Sequence, residues 1–327
     1  MKPEGRGGPM ERTCVIYEST YGSTEEVAGA IAMVLGPART VRTTEFTAAM
    51  REFDRFVIGT PIYNGDLSPL IREFVRANAG WLTHKPVAFF CTALNPARGR
   101  DYLKEVRELV DPEAPLVAFG GRLRVDRLSR DDRTALSLYA RKTGWDLSDR
   151  DLIDMNAVTA FALALRERGE REGQMGEGEI RERVRTYLAT HRTCVICTAH
   201  NNRVRATPVD YLFADDESTI FSEGGEKFVH LLCNPVVGLA VYDDHTGRED
   251  VSGLQVTGTA RILRPGEPGH EEALRVRGIT AGDLDIDLNV IRVHPERAEL
   301  LNAAFKKEGY GFRQVCRFAP DQPSPHG

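Results

Sequence analysis

Hydroxyl side chains gather around one glycine directly after the first apolar run of the chain, 13–17. The members of this cluster are Ser19, Thr20, Tyr21, Gly22, Ser23 and Thr24. A helical pattern follows at once, and a helix N-terminus offers unpaired N–H groups and a partial positive charge to an anion. Gly22 allows the backbone to approach a ligand closely or to adopt a positive φ. These residue types predict a phosphate site at this strand-to-helix turn.

Two classes of phosphate ligand are excluded by residues that are missing from the cluster. It contains no lysine or arginine, so it is not the nucleoside triphosphate loop GxxxxGK[ST], and it lacks the dinucleotide fingerprint GxGxxG. A site for one terminal monophosphate, held by hydroxyls and amides, is the interpretation that remains. A plain helix N-cap, with Ser23 and Glu26 forming a capping box, explains the same residues and stays open as an alternative.

Two later loops are expected at the same edge of the sheet, because each follows a predicted strand. The first holds Thr60, Pro61, Ile62, Tyr63, Asn64 and Gly65. The second holds Thr92, Ala93, Leu94 and Asn95. Backbone amides beside an aromatic ring suit a flat heterocycle, so these loops are predicted to hold the ring of a ligand.

A second candidate site lies in the other half of the chain. Arg205 and Thr207 alternate along a predicted strand, and Pro208 indicates an edge or a bulge there. Ser222, a Gly-Gly pair and Lys227 then precede a predicted helix, which suits an anion. A solvated turn before a helix explains the segment SEGGEK about as well.

The six cysteines are predicted to be reduced thiols of a cytoplasmic protein. Cys194 and Cys197 spell CVIC, which could indicate a redox or zinc motif. Their segment is β-branched and apolar, however, and residues three apart on a strand point to opposite faces. We therefore predict no metal site.

The elements that position these residues differ between the two halves. In the first half, strands and helices alternate, which predicts a doubly wound parallel sheet of the α/β class. The predicted strands are 13–17, 39–43, 55–59, 86–92 and 115–119, and the predicted helices are 24–35, 69–78, 99–110, 130–143 and 154–167.

In the second half, a helix at 180–190 is followed by closely spaced strands, which predict a mainly-β barrel. These strands are 193–198, 203–213, 219–222, 236–242, 251–263, 288–293 and 310–318. The domain prediction is a disordered leader (1–12), a first domain (13–168), a linker (169–179), a second domain (180–318) and a disordered tail (319–327).

The charge and hydrophobic content of the chain argue against two classes of partner, nucleic acids and membranes. The 327 residues are 41% hydrophobic and 28% charged, with a formal net charge of −5, so the basic footprint of a nucleic-acid binder is missing. No apolar run is long enough to predict a membrane span, and the N-terminus does not read as a secretory signal.

Residues 13–167 resemble a flavodoxin domain. The segment STYGST is similar to the flavodoxin phosphate loop T/S-x-T-G-x-T, with Tyr21 replacing the usual threonine, and GTPIYNG and CTALNP resemble its two ring loops. The resemblance implies FMN, bound without a basic residue at its phosphate. The segments 119–149 and 154–165 resemble more narrowly the menaquinone-dependent protoporphyrinogen IX dehydrogenase branch, although the loop NPARGRD is shorter than that family's basic insertion.

Residues 180–318 resemble the FMN-binding split β-barrel of the pyridoxamine 5′-phosphate oxidase-like superfamily. The resemblance implies that Arg205 and Lys227 hold a cofactor phosphate. It also implies that Thr207, Pro208 and Ser222 line the flavin, while Gln255 and Gly258 lie on the strand that closes the pocket. Superfamily members use FMN, deazaflavin F420 or haem, and two subunits share the site in a homodimer.

Together these resemblances imply an FMN-dependent oxidoreductase with two flavin sites. The flavodoxin-like domain would relay electrons, and the split barrel would reduce a small molecule or a redox partner protein. The alternatives are a protoporphyrinogen or quinone oxidoreductase and a non-catalytic electron carrier or flavin- or haem-binding sensor. No catalytic side chain is predicted, because the cofactor carries the chemistry.

Overall fold

A computed structural model of the protein describes residues 11–170, 173–247, 249–280, 285–286 and 288–318. The chain divides into two compact units, residues 1–169 and 170–327. The predicted tail, 319–327, lies outside the described residues, as does the predicted leader up to residue 10. The last two leader residues belong to the folded unit, since Glu11 pairs with Arg55 at 2.6 Å and the Arg12 amide donates to Asp54 at 2.7 Å.

The first unit is built on five parallel strands in the order β2-β1-β3-β5-β6. The bounds are β1 (Thr13–Tyr17), β2 (Ala38–Arg42), β3 (Arg55–Tyr63), β4 (Asp66–Leu67), β5 (Val87–Ala93), β6 (Leu116–Gly120), β7 (Arg122–Leu123) and β8 (Arg150–Asp151). Its helices are α1 (Ser23–Leu35), α2 (Pro69–Leu82), α3 (Gly99–Glu108), α4 (Arg130–Thr143) and α5 (Met155–Glu170). The predicted doubly wound sheet is confirmed.

Alternation along β1 divides its side chains between two cores, one on each face of the sheet. Cys14 and Ile16 pack with buried residues of α2 and α3. Val15 and Tyr17 pack with buried residues of α1 and α5. Strand order reverses between β1 and β3, which is the place where open α/β sheets bind ligands beyond the strand ends.

Strand β3 runs four residues past its predicted end and turns back into β4. Ile62 pairs with Leu67 and Tyr63 with Asp66 across a two-residue turn. Asn64 and Gly65 both have positive φ, 52° and 77°, as a tight hairpin of this kind requires. The first four residues of the predicted ring loop, 60–63, therefore belong to β3, and its last two, Asn64 and Gly65, form the tip of a hairpin.

The second unit is an antiparallel barrel of six strands, which confirms the predicted mainly-β class. The order β11-β10-β9-β12-β13-β14 closes through pairing of β11 with β14, and β15 extends the sheet from β14. The bounds are α6 (Glu177–Thr190), β9 (Thr193–His200), β10 (Arg203–Ala214), β11 (Glu217–Ser222), α7 (Lys227–Leu231), β12 (Val236–Tyr242), β13 (Ser252–Leu263), α8 (His270–Arg277), β14 (Asn289–Asn302) and β15 (Arg313–Arg317).

Three details of this unit differ from the sequence-based prediction. Helix α6 begins within the span predicted as a linker, and α8 was not predicted. Strand β14 runs to Asn302, well past its predicted end at 293, and includes Pro295. A bulge at Thr257 and Gly258 accommodates this proline, and a Cβ at Gly258 would lie 2.2 Å from the His294 carbonyl oxygen. Gly258 therefore serves a close backbone approach between β13 and β14.

Within the described part of the chain, none of the helices combines the length and the apolar character needed to cross a membrane.

Candidate functional site

The turn from β1 into α1 leaves a helix N-terminus open. Gly22 is the N-cap, with φ 91°, and no side chain in the described structure caps the helix. Ser23 is the first helical residue, so the predicted capping box with Glu26 is wrong; the Glu26 carboxylate instead binds Arg122 at 2.6 Å. The first amides of α1 have no partner within the helix and remain available to an anion.

The hydroxyls of this turn shape the loop and join it to neighbouring strands. Ser19 Oγ accepts from the Gly22 amide at 3.0 Å, and Thr24 Oγ1 bonds Thr92 Oγ1 at 2.8 Å. Ser23 Oγ accepts from the Arg122 amide at 2.9 Å. A hydroxyl that accepts one bond still has its own O–H to donate, so Ser19 and one of the two threonines keep a donor for a ligand. Thr20 is exposed.

Two tyrosines connect the hydroxyl cluster to the hairpin after β3 and to the start of α4. The rings of Tyr21 and Tyr63 pack edge to face, with centroids 5.7 Å apart. Tyr63 Oη accepts from the Thr20 amide at 3.4 Å, and partial burial of this surface-exposed side chain raises the pKa of its phenol. Tyr21 Oη donates to Asp132 and accepts from the Ser129 amide at 3.2 Å, and both of these residues lie at the start of α4.

Two arginines that the sequence did not indicate flank the cluster. Arg42 donates to the Ser19 carbonyl oxygen and to Glu25, at 2.9 Å in each case. Arg122 binds Glu26 at 2.6 Å. Each guanidinium is paired with a carboxylate of α1, so the turn has positive charges nearby but little net charge of its own. Both arginines come from other strands, which is why the local sequence gave no sign of them.

The two predicted ring loops have buried bases and exposed tips. In the first, Thr60 and Pro61 are buried, Ile62 is half-buried, and Tyr63, Asn64 and Gly65 are exposed. In the second, Thr92 and Ala93 are buried, Leu94 is half-buried and Asn95 is exposed. Because β1, β3 and β5 are parallel, the three predicted loops share one edge of the sheet.

In the barrel unit the structure brings together three residues of the second predicted site. Arg205 on β10 pairs in register with Thr198, whose Oγ1 bonds His230 Nδ1 at 2.9 Å. Ser222 Oγ donates to the Gly224 carbonyl oxygen at 3.1 Å, and Lys227 Nζ donates to the same oxygen at 2.6 Å. Lys227 is buried, and burial, together with the charge of Arg205, lowers the pKa of its ammonium.

The other residues predicted for the barrel site differ in how far they are buried. Thr207 Oγ1 is buried and has no hydrogen-bond partner among the described residues. Pro208 is exposed on a stretch of β10 that pairs with β9, with no second strand described beside it, which agrees with the expected edge. Gln255 is exposed and alternates with the buried Leu254 and Val256. It therefore faces away from the barrel interior, and no contact is described between Gln255 and Arg205.

Helix α7 is shorter than the anion argument assumed. It spans only five residues, Lys227–Leu231, so its N-terminus adds little to an anion site. The charge of Arg205 and Lys227 is the feature that remains.

The CVIC segment lies on β9. Cys194 is buried and Cys197 half-buried, both are free thiols, and burial raises the pKa of the Cys194 thiol to about 12. In the described ranges, histidine, cysteine and acidic side chains form no cluster of three or more that could hold a metal ion.

Two family models match the chain. The model of the flavodoxin domain covers residues 14–148, and the model of pyridoxamine 5′-phosphate oxidase covers residues 180–302. The chain joins a flavodoxin-like domain to a pyridoxamine 5′-phosphate oxidase-like domain. These two domain types support flavin binding. No curated protein sequence matches the chain.

Solved structures resemble parts of the chain at low identity. A FAD-binding protein from Mesorhizobium loti is 21% identical, covering 36% of this chain and 89% of its own, with a TM-score of 0.30. A FAD-binding protein from Mycobacterium smegmatis is 19% identical, covering 42% and 96%, with a TM-score of 0.31. A heme-binding protein from Mycobacterium smegmatis is 18% identical, covering 42% and 57%, with a TM-score of 0.33.

Both domains contain residues that fit a phosphorylated flavin. In the flavodoxin-like domain, open helix amides and hydroxyl donors surround Gly22, where an added Cβ would meet nothing within 4 Å. In the oxidase-like domain, the charge of Arg205 acts on Lys227, and Arg205 lies two residues before Thr207, whose buried hydroxyl has no partner in the described structure. A buried hydroxyl without a partner in the described structure is a natural contact for a bound molecule.

Proposed function

We propose that this protein is an FMN-dependent oxidoreductase with one flavin in each domain. The flavodoxin-like domain relays electrons, and the oxidase-like barrel reduces a small molecule or a redox partner protein. The observation that carries this proposal is the presence of two different anion cradles, each in a domain that matches a flavin-associated family. One is formed by hydroxyls and amides around Gly22, and the other by the charges of Arg205 and Lys227.

In the flavodoxin-like domain, the chain binds and orients its cofactor through the three loops at one sheet edge. The amides at the start of α1 and the Ser19 and Thr20 hydroxyls donate to the phosphate. Tyr63 offers a ring face at the hairpin tip, and Tyr21 holds it in place. The bound flavin supplies the redox chemistry in both domains.

In the barrel, Arg205 and Lys227 bind the phosphate, while Thr207, Pro208 and Ser222 line the flavin. Gln255 lies on the outer face, so it completes the site only across an interface between two copies of the chain. A homodimer through the barrel is therefore part of the proposal. A cytoplasmic location is also part of it, because all six cysteines are free thiols.

The spectrum and cofactor content of the purified full-length protein test this proposal. We expect flavin absorption, two FMN per chain after denaturation, and electron exchange between them in stopped-flow reduction. Arg205→Gln should release one FMN, whereas Arg203→Gln, an exposed arginine two residues away on the same strand, should release neither. A Soret band or F420 absorption would contradict FMN in the barrel. A single flavin, or two that never exchange electrons, would contradict the relay.

A further inference from the structure

One carboxylate already occupies the cationic site of the barrel. Arg205 Nη1 donates to Glu226 Oε2, and both side chains are about half-exposed. Glu226 immediately precedes Lys227 in the chain, so the carboxylate and the second cation leave the same turn. Two cations and one carboxylate give this site one net positive charge, where a site with the same cations and no carboxylate would have two.

The loop between β11 and α7 positions the charged side chains of Glu226 and Lys227. Gly224 and Gly225 have φ of 146° and 108°, a backbone region that side-chain-bearing residues rarely adopt. The turn they form lets Lys227 Nζ reach back to the Gly224 carbonyl oxygen at 2.6 Å. Lys227 is fixed by this bond and by burial, whereas Glu226, the N-cap of α7, makes no side-chain cap with the helix in the described structure. Of the two residues, Glu226 is the one whose side chain can leave the site.

The contact between Glu226 and Arg205 is easily displaced. Ion pairs that are open to solvent contribute little free energy, because water and salt screen the charges and two long side chains must be ordered. A phosphate brings two negative charges and oxygens that match the guanidinium fork, which makes it a stronger partner for Arg205 than a single exposed carboxylate.

We propose that Glu226 is an internal competitor of the phosphate: its carboxylate occupies Arg205 until a phosphate group displaces it. The inference rests on the proposed function, in which the barrel binds a phosphorylated flavin. Glu226 lowers the affinity for a phosphorylated flavin, because its ion pair with Arg205 must be broken before the phosphate binds, whereas a flavin without a phosphate leaves this ion pair in place. Removal of the carboxylate should therefore tighten binding of the phosphorylated ligand alone.

Titration of the apo full-length protein with FMN and with riboflavin tests this. Glu226→Gln should tighten the barrel class of FMN sites about two- to fivefold, the equivalent of one exposed ion pair, and more at low salt. Riboflavin binding should not change. The matched control is Glu223→Gln, which removes the same charge from an exposed residue of the same loop that has no described contact with Arg205. Inorganic phosphate should compete with FMN more strongly in Glu226→Gln than in the unmodified protein.

The outcomes separate the inference from the proposed function. If Arg205→Gln weakens one class of FMN sites while Glu226→Gln and Glu223→Gln behave alike, Glu226 is not the competitor, and the proposed function stands. If Glu226→Gln tightens riboflavin as much as FMN, the effect is not on the phosphate and the inference is wrong. If Arg205→Gln folds normally and leaves every class of FMN site unchanged, both the inference and the assignment of the barrel site fail.

Discussion

The phenol of Tyr21 connects the turn between β1 and α1, the proposed phosphate loop of the flavodoxin-like domain, to the first turn of α4. It donates to Asp132 and accepts from the Ser129 amide, while its ring packs on Tyr63. Tyr21→Phe keeps the ring contact and removes both hydrogen bonds. Because one of these bonds is to a charged acceptor, we expect the free energy of unfolding of this domain to fall by about 1.5–3 kcal/mol.

Urea denaturation measures this change as the free energy of the unfolding transition that belongs to the flavodoxin-like domain. Tyr139→Phe is the matched control, since it removes a phenol hydroxyl from an exposed position on α4 itself and should change stability by less than about 0.5 kcal/mol. FMN binding should weaken in Tyr21→Phe, because the loop proposed to hold the phosphate loses its hydrogen bonds to α4. Equal stability of the two variants would show that the link to α4 does not stabilise the loop.

At the scale of elements, the C-terminal end of α6 is fastened to the loop after β12. His191 Nδ1 faces the Tyr187 carbonyl oxygen at 2.7 Å and Nε2 faces Asp243 at 2.8 Å. The imidazole therefore connects the last turn of α6 to the carboxylate of Asp243. Tyr187 Oη also donates to Asp243 at 2.9 Å. Hydrogen bonding to His191 is the main cause that lowers the pKa of the Asp243 carboxyl.

The sign of the pH dependence follows from the lowered pKa of Asp243. When a carboxyl has a lower pKa in the folded state than in the unfolded state, its ionised form stabilises the fold at pH values above the unfolded-state pKa. This stabilisation is lost as the pH falls through the folded-state pKa. We expect the barrel domain of the unmodified protein to lose stability below pH about 4, near the ordinary pKa of aspartate. Asp243→Asn should flatten this acid-side loss. The control Asp244→Asn, at an exposed neighbour, should keep it, and identical pH profiles of urea midpoints would contradict the role of Asp243.

Elements were predicted more successfully than the contacts between them. The apolar face of α1 and the apolar runs of β1, β3 and β5 are local patterns, so their positions could be inferred from periodicity. The extension of β14 past Pro295 could not, because the bulge that accommodates the proline lies on another strand. Long-range contacts were also missed at the sites. The hydroxyls around Gly22 could be identified from the local sequence, whereas the hydrogen bond from the Arg122 amide to Ser23 joins residues 99 positions apart.

At the scale of the whole molecule, an apolar surface on the barrel supports the proposed homodimer. Leu232 and Val204 are large aliphatic residues with 63% and 76% of their surface exposed. The segments that carry them meet, because Val204 pairs in register with Ala199, whose carbonyl oxygen accepts from Asn234 at 2.8 Å, two residues beyond Leu232. Val236, also exposed, begins the strand that follows. Exposed aliphatic residues grouped in this way are typical of a surface that another protein covers.

Leu232→Lys tests this surface by placing a charge in it. If two copies of the chain cover the surface, burying an unpaired ammonium there is costly, so the variant should be monomeric at concentrations where the unmodified protein is a dimer. The matched control is Met33→Lys, which adds the same charge at a residue of the flavodoxin-like domain that is 82% exposed. Light scattering after size-exclusion chromatography gives the mass of each. In the proposed dimer Gln255 reaches the barrel site only across the interface, so the monomeric variant should also bind FMN more weakly at the proposed barrel site, while the proposed flavodoxin-like site keeps its affinity. A dimer that survives Leu232→Lys would place the interface elsewhere, and an unmodified protein that is monomeric at micromolar concentration would leave Gln255 without a role in flavin binding.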